Sequence, residues 1–180
     1  MKGRSQSSSI PTKRSRGKPY DGGGVKKAYS GDERRGLRNM RIRRARKNDS
    51  ARIAELSTQL GYPATSQEIV RRMERMRPTA LHAVFVAESE KLVTAWLHVS
   101  VTPLLEVPLR AEVNGLVVDE KQRSAGTGAK LLQVAERWAA EKGCKSVSVR
   151  SNVIRERAHE FYLRNGYEYY KTQKAFRKLL

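Results

Sequence analysis

From residue 40 onward, apolar positions recur at two periods. Ile53, Leu56 and Leu60 fall at the three-to-four spacing of one helical face, which predicts a helix over 51–60 with Ser50 as its cap. Gly61, Tyr62 and Pro63 break it. Thr65 followed by Glu68 is a capping box for a second helix over 66–77, ending before Pro78. A short strand over 40–45, with Ile42 as its apolar member, precedes both. Then the period changes to β. HAVFVAE (82–88) and LVTAWLHVSV (92–101) flank a turn at Ser89–Lys91, which makes a hairpin. After a loop with Pro103 and Pro108 comes a strand over 111–120. Leu131, Leu132, Ala135, Trp138 and Ala139 form the inner face of a long helix over 126–142, ended by Gly143. A strand over 145–151 follows, then a helix over 155–165, with Ile154, Ala158 and Phe161 in one stripe. Gly166 ends that helix, and YEYYKTQKAFRK (167–178) reads as a closing strand.

The order β-α-α-β-β-β-α-β-α-β implies an α/β fold. The hairpin is antiparallel, and strand–helix–strand from 111 to 151 calls for parallel neighbours. A mixed sheet with helices on both faces is therefore expected.

Composition divides the chain in two. Residues 1–39 hold 11 Lys/Arg against 3 Asp/Glu, a balance of +8, with SSS at 7–9, GGG at 22–24 and few large apolar side chains. Such a segment buries too little surface to offset its ordering entropy, so a disordered basic extension is expected there, ahead of one domain over 40–180. The whole chain carries a net charge of +19. That charge suits an anionic partner: a polyphosphorylated cofactor, or nucleic acid held by the basic tail. Interleaved aromatics, zinc spacings and a helix-turn-helix signature are missing, which places nucleic acid second. No apolar run is long enough for a membrane span. Cys144 is the single cysteine, so no intrachain disulfide forms, and a reducing cytoplasmic setting is expected. At the start of a strand, its plain role is that of a small buried residue.

The most informative stretch is Val117 to Leu132. A strand enters a basic, glycine-bearing turn, Arg123-Ser124-Ala125-Gly126-Thr127-Gly128-Ala129-Lys130, that opens a helix. Glycines let a backbone approach a pyrophosphate closely, and the helix N-terminus offers free N–H groups and favourable potential. A Walker A loop needs a Gly-Lys-Ser/Thr triple, which is absent. A dinucleotide fingerprint needs a third glycine where Leu131 stands. Instead, Arg-x-x-Gly-x-Gly resembles the acetyl-CoA signature of the GNAT superfamily of N-acetyltransferases. A second tract supports the resemblance. Asn152, then Ala158-His159-Glu160-Phe161-Tyr162, then Gly166-Tyr167, is similar to that family's other hallmark.

Within the superfamily the pattern is closest to small-molecule amine acetyltransferases such as aminoalkylphosphonate N-acetyltransferases. Aminoglycoside and ribosomal-protein acetyltransferases share the general order. The resemblance implies the GNAT fold, with a central parallel strand pair splayed around the cofactor. It implies acetyl-CoA as cosubstrate and a primary amine as acceptor, and makes a homodimer an expectation. It implies that the loop amides over Ser124–Lys130, with Arg123, hold the pyrophosphate. Leu116, Val117 and Val118 would bind the pantetheine amides and the acetyl carbonyl, and Asn152 the pantetheine arm. Glu112 would be the general base and Tyr162 the general acid for the thiolate. Alternation puts Glu112, Asn114, Leu116 and Val118 on one face of their strand. Each of these residues also has a plain structural reading: Glu112 as a charge on an exposed strand face, Tyr162 as a rim aromatic, Asn152 as a turn former.

The chemistry is coherent. A lysine-like amine of pKa ~10.4 is less than about 0.1% neutral at pH 7, so it needs a base before it can attack. The attack would be direct, without a covalent acyl-enzyme. The acceptor would meet the two helices at 51–60 and 66–77 and the loop 102–110, a region that contains Tyr62, Arg71, Arg72, Arg75 and Arg77. His82, His98 and His159 stand isolated in the sequence.

Overall fold

The computed structural model describes residues 40–123 and 125–180. The basic extension over 1–39 and Ser124 lie outside the described residues.

Five strands form one sheet in the order β1-β2-β3-β4-β5: β1 Arg41–Arg44, β2 His82–Ser89, β3 Leu92–Val101, β4 Arg110–Val118 and β5 Ser146–Val149. The first three pairings are antiparallel, and β4 with β5 is parallel. Helices α1 (Ser50–Leu60), α2 (Ser66–Met76), α3 (Thr127–Glu141) and α4 (Glu156–Arg164) complete the chain.

The two faces of the sheet carry separate cores. On one, Leu131, Leu132, Ala135, Trp138 and Ala139 of α3 pack on Ala83, Phe85, Leu97, Val99, Ala111 and Val113. On the other, Ile53, Ala54 and Leu56 of α1 and Ile69 of α2 cover Val86, Val93 and Val117. The expected α/β architecture with helices on both faces is present.

Several local expectations hold. Thr65 and Glu68 close the capping box of α2, with Glu68 N–H donating to Thr65 Oγ1 at 3.2 Å and Thr65 N–H to Glu68 Oε2 at 2.8 Å. The hairpin turns at Glu90 and Lys91, both at positive φ (50° and 66°).

Ser50 does not cap α1. A 3-10 turn over Lys47–Asp49 precedes the helix and makes Ser50 its first residue. Its hydroxyl instead meets Ser66 Oγ at 2.8 Å and ties α1 to α2. Asp49 is the residue before the helix, and Arg43 clasps its carboxylate at 2.7 and 2.9 Å. That contact, with the Arg46 amide, holds Asp49 below the usual carboxylate range.

The second correction concerns the end of the chain. Residues 167–178 form no strand, and every residue from Glu168 to Leu180 is exposed. The sheet ends at β5, whose outer edge no strand among the described residues covers. Ile154 also leaves its expected stripe. It lies ahead of α4 and is exposed, so only Ala158 and Phe161 face inward.

Candidate active site

The site is built around a seam. β4 pairs with β5 from Arg110↔Ser146 to Val113↔Val149, and no further. β4 itself runs on to Val118. Gly115 to Val118 are thus paired with β3 on one side, and lack a strand partner among the described residues on the other. Backbone N–H and C=O groups left open in this way demand partners.

At the start of the open stretch sits a bulge. His98 pairs with Gly115 and Val99 with Val113, so Asn114 is an extra residue on β4. Its amide donates to Ser100 Oγ at 2.8 Å. The bulge breaks the alternation expected for this strand. Leu116 and Val118 pack on the α3 side with Ala111 and Val113, whereas Val117 joins the α1 side. Glu112 therefore does not share a face with Leu116 and Val118. By alternation with its two neighbours it projects from the α1 side, opposite Ser100.

Two further features close the α1 side of the seam. A Cβ added to Gly115 would lie 2.7 Å from Cη2 of Trp96, so the indole rests directly on the glycine. Arg155, just ahead of α4, donates from Nη2 to the Leu60 carbonyl at the end of α1, at 2.8 Å. α1 and α4 are thereby tied together.

The glycine-bearing loop stands where β4 ends. A 3-10 turn over Glu120–Gln122 leads to Gly126 at φ 78°, and α3 begins at Thr127. The first helical bond of this end is Lys130 N–H to Gly126 O at 3.1 Å. The amides of Thr127, Gly128 and Ala129 precede it and lack intrahelical acceptors. Lys130 therefore offers its side chain rather than its amide. Ala125 is half-buried ahead of them, and Ser124 lies outside the described residues. Arg123 donates to the Val118 carbonyl (3.4 Å) and pairs with Glu120 (3.2 Å). Gly128 is a close approach of another kind: a Cβ there would be 3.1 Å from Cζ of Phe161, so α4 packs on the first turn of α3.

That packing fixes Tyr162, whose ring meets Phe161 and Tyr167 edge to face at 5.3 and 5.8 Å. Tyr167 is anchored in turn by its hydroxyl, which donates to Glu136 at 3.1 Å. Burial raises the Tyr162 phenol above its ordinary value, partly offset by the charge of Arg155. Tyr162 thus keeps its proton at neutral pH on the α3 side of the seam, while Glu112 stands on the other. The Glu112 carboxylate is mostly covered and meets Arg150 Nε at 2.5 Å.

Asn152 is exposed and acts as a turn former here. Its Oδ1 accepts the Ile154 amide at 3.2 Å, and its carbonyl accepts from Arg155 N–H and meets His159 Nε2, each at 3.0 Å. His159 is accounted for by that contact. His82 and His98 are not isolated: Nδ1 and Nε2 are 3.1 Å apart across β2 and β3. Burial, with His82 beside it, pushes His98 down to about 4. Cys144 is half-buried beside the α3 core, which pushes its thiol up. No cluster of metal-ligating side chains occurs among the described residues.

Of the arginines expected near an acceptor, Arg71, Arg72 and Arg75 lie on exposed positions of α2, and Arg72 pairs with Glu68 at 3.8 Å. Arg77 lines a cleft of about 400 Å³ beside β1 and β2, together with Arg44, Arg46, Lys47, Glu74 and His82. Tyr62 is exposed. Sequence reasoning missed Arg150, Arg155 and Trp96. Only the hairpin register could have paired the two histidines.

Comparison with known proteins bears on the family and the fold. The family model described as an acetyltransferase (GNAT) domain matches residues 80–169. Aminoalkylphosphonate N-acetyltransferase of Salmonella typhimurium is 39% identical over 57 residues, 32% of this chain and 37% of that protein. The chain thus matches little more than a third of that relative's length. Among solved structures, an aminoglycoside antibiotic 6'-N-acetyltransferase of Acinetobacter baumannii superposes with a TM-score of 0.69 at 18% identity, over 78% of this chain and 99% of that one. Glucosamine-6-phosphate N-acetyltransferase of Arabidopsis thaliana gives 0.67 at 22%, over 77% and 97%. At these identities the structures share the fold.

Proposed function

The chain belongs to the GNAT family of acetyltransferases, and on that premise we propose that residues 40–180 form its catalytic domain, moving an acetyl group from acetyl-CoA to the primary amine of a small molecule. The observation that carries this reading is the seam. Backbone groups of β4 beyond Val113 are left open and lead to a helix N-terminus with unpaired amides. This arrangement fits an extended arm with amide groups that ends in a pyrophosphate.

Under this reading Leu116, Val117 and Val118 present backbone groups to the pantetheine arm and the acetyl carbonyl. Thr127, Gly128 and Ala129, with Arg123 and Lys130, hold the pyrophosphate. Ala125 and Gly126 shape the loop, and Asn152 follows β5 on the exposed side. Acetyl-CoA brings an activated thioester. Glu112 takes the proton from the incoming ammonium group, which displaces Arg150 from the carboxylate. An amide of the open stretch faces the oxygen that gains charge. Tyr162, protonated and on the opposite side of the seam, gives its proton to the leaving sulfur. Base and acid on opposite faces of one sheet suit an attack from one side and a departure on the other.

The first acceptors to try are aminoalkylphosphonates. They are supported by the 39% identity over 57 residues. The test is thiol release from acetyl-CoA by the full chain across a panel of primary amines, with products identified by mass. Amine-dependent release with an N-acetylated product is expected. Release that no amine on the panel increases would overturn the reading.

A further inference from the structure

The surplus charge of the domain is unevenly placed. Residues 40–80 hold 10 Lys/Arg against 4 Asp/Glu, a balance of +6, whereas residues 81–180 hold 16 against 11, a balance of +5 over more than twice the length. Two of the ten are matched inside the fold: Arg43 by Asp49 and Glu88, Arg52 by Glu55 and Asp119. Six of the other eight are exposed on and around α2: Arg46 and Lys47 after β1, Arg71, Arg72 and Arg75 on the helix, and Arg77 at its end. Two carboxylates lean on this group, Glu74 at 3.5 Å from Lys47 and Glu68 at 3.8 Å from Arg72, while Arg46, Arg71, Arg75 and Arg77 have no ion-pair partner among the described residues.

The helix orders these charges. At 3.6 residues per turn, Arg71, Arg72 and Arg75 fall within about 100° of one another, whereas Ile69 is buried and Met73 and Met76 are half-buried. The cleft of about 400 Å³ runs between this helix and the end of β1. Val70, Met73 and Met76 line its apolar part, and Arg46, Lys47 and Arg77 bring charge to it from two elements. β1 is three strands away from β4, roughly 14 Å. This corner is therefore separate from the seam and does not rest on the proposed acetyl transfer.

We propose that this corner binds the phosphodiester backbone of a nucleic-acid duplex, with Arg46, Lys47 and Arg77 holding phosphates at the cleft and Arg71, Arg72 and Arg75 meeting the backbone along α2. Charge complementarity selects the partner. Nine of the ten cations over 40–80 are arginine, and the planar guanidinium pairs with a phosphate through two parallel hydrogen bonds, which an ammonium group cannot match. A membrane surface fits less well, because the exposed face of α2 carries Gln67, Glu68 and Glu74 between its arginines and no large apolar side chain to enter a bilayer. A single strand fits less well too. Binding of that kind stacks bases on aromatic rings, and neither 41–47 nor 66–77 contains an aromatic residue. What remains is contact with phosphates, which carries no sequence preference and weakens steeply with salt.

The experiment is fluorescence anisotropy of a labelled, mixed-sequence DNA duplex titrated with the full chain at several salt concentrations. A dissociation constant of ~1–100 μM at physiological salt is expected. In R71A/R75A/R77A binding should weaken at least ~10-fold, and the slope of log affinity against log salt should become shallower by ~2–3, as three lost phosphate contacts require. Alanine favours the helix, so circular dichroism should be retained. The variant R137A/R157A/R164A removes the same charge from exposed positions of α3 and α4 and should bind as the native chain does. Four results overturn the proposal. No binding by the native chain removes the site. Native affinity in R71A/R75A/R77A places the contact on residues 1–39. Equal losses in the two variants reduce the effect to net charge. Loss of binding to phosphatidylserine vesicles in R71A/R75A/R77A, with duplex binding intact, assigns this face to a membrane.

Discussion

Gly115→Ala probes the wall of the seam where the tolerance is smallest. A methyl group at this position would lie 2.7 Å from Cη2 and 2.8 Å from Cζ3 of Trp96. Carbon atoms prefer ~3.5–4.0 Å, so the ring must retreat by about 1 Å. It has little room: Trp96 packs against the cluster of Ile53, Leu56, Val86 and Val117, and Leu60 Cδ2 is 3.9 Å from the same methyl position. Overpacking of this kind costs ~1–3 kcal/mol. In a domain of this size that lowers Tm by roughly 2–12 °C. The backbone at Gly115 is not in the left-handed region, so the cost is steric alone. This gives the prediction its internal control. With Trp96→Leu in the background the clash is gone, and Gly115→Ala should become neutral or stabilise by ~0.4–1 kcal/mol through the unfolded chain. Thermal unfolding of the two single variants and the double variant, followed by circular dichroism, measures the coupling. Equal effects of Gly115→Ala in both backgrounds would show that the indole does not rest on the glycine, and the described wall would be wrong.

Other outcomes can be checked on the same protein. Tyr162→Phe should lower kcat by ~10²–10⁴-fold, the usual range for a lost general acid, with acetyl-CoA affinity kept; unchanged turnover would remove the acid role. His98 titrates at about 4 when folded, against an ordinary 6.5. The unfolded chain therefore binds this proton first as pH falls, and stability present above pH 6.5 is lost between there and pH 4, by up to ~3 kcal/mol. Urea unfolding across that range should show the loss in the native chain and a flatter profile in His98→Gln. Asp49 and Asp119, whose pKa values are also lowered, act in a more acidic window. Asp119→Asn leaves an acceptor for the Lys121 amide but removes the charge that meets Arg52. Because Arg52 keeps Glu55 and the Val93 carbonyl, a loss of about 1–3 kcal/mol is expected by urea unfolding.

The parts of the fold legible in the sequence are those where one period runs unbroken. The five inner residues of α3 and the capping box at Thr65 and Glu68 follow directly from spacing. The hairpin around Glu90 and Lys91 follows from two β-rich runs and their separation. Asn114 shows where that logic ends. An inserted residue shifts every later side chain to the other face, and alternation cannot report an insertion that only strand pairing creates. The same limit hid the His82–His98 contact and the ion pair of Arg150 with Glu112, which depend on register between strands. Ser50 has the chemistry of a cap, but a 3-10 turn one step earlier took the position. The stretch 167–178 has strand composition without a strand, because a strand needs an edge to join, and within this chain the segment does not return to β5. The glycine-bearing loop was readable in order and placement. The open side of β4 beyond Val113, which gives that loop its meaning, followed only from the family resemblance, which implied a splayed parallel pair, and not from periodicity.

The measurement that bears most directly on the central claim is a calorimetric titration of acetyl-CoA into the full chain. Saturable binding of one acetyl-CoA per chain is the predicted result, as the open backbone of β4 and the unpaired amides at the start of α3 require. A flat titration at concentrations where the protein is folded would contradict it, and the seam would then be no more than an irregular strand end.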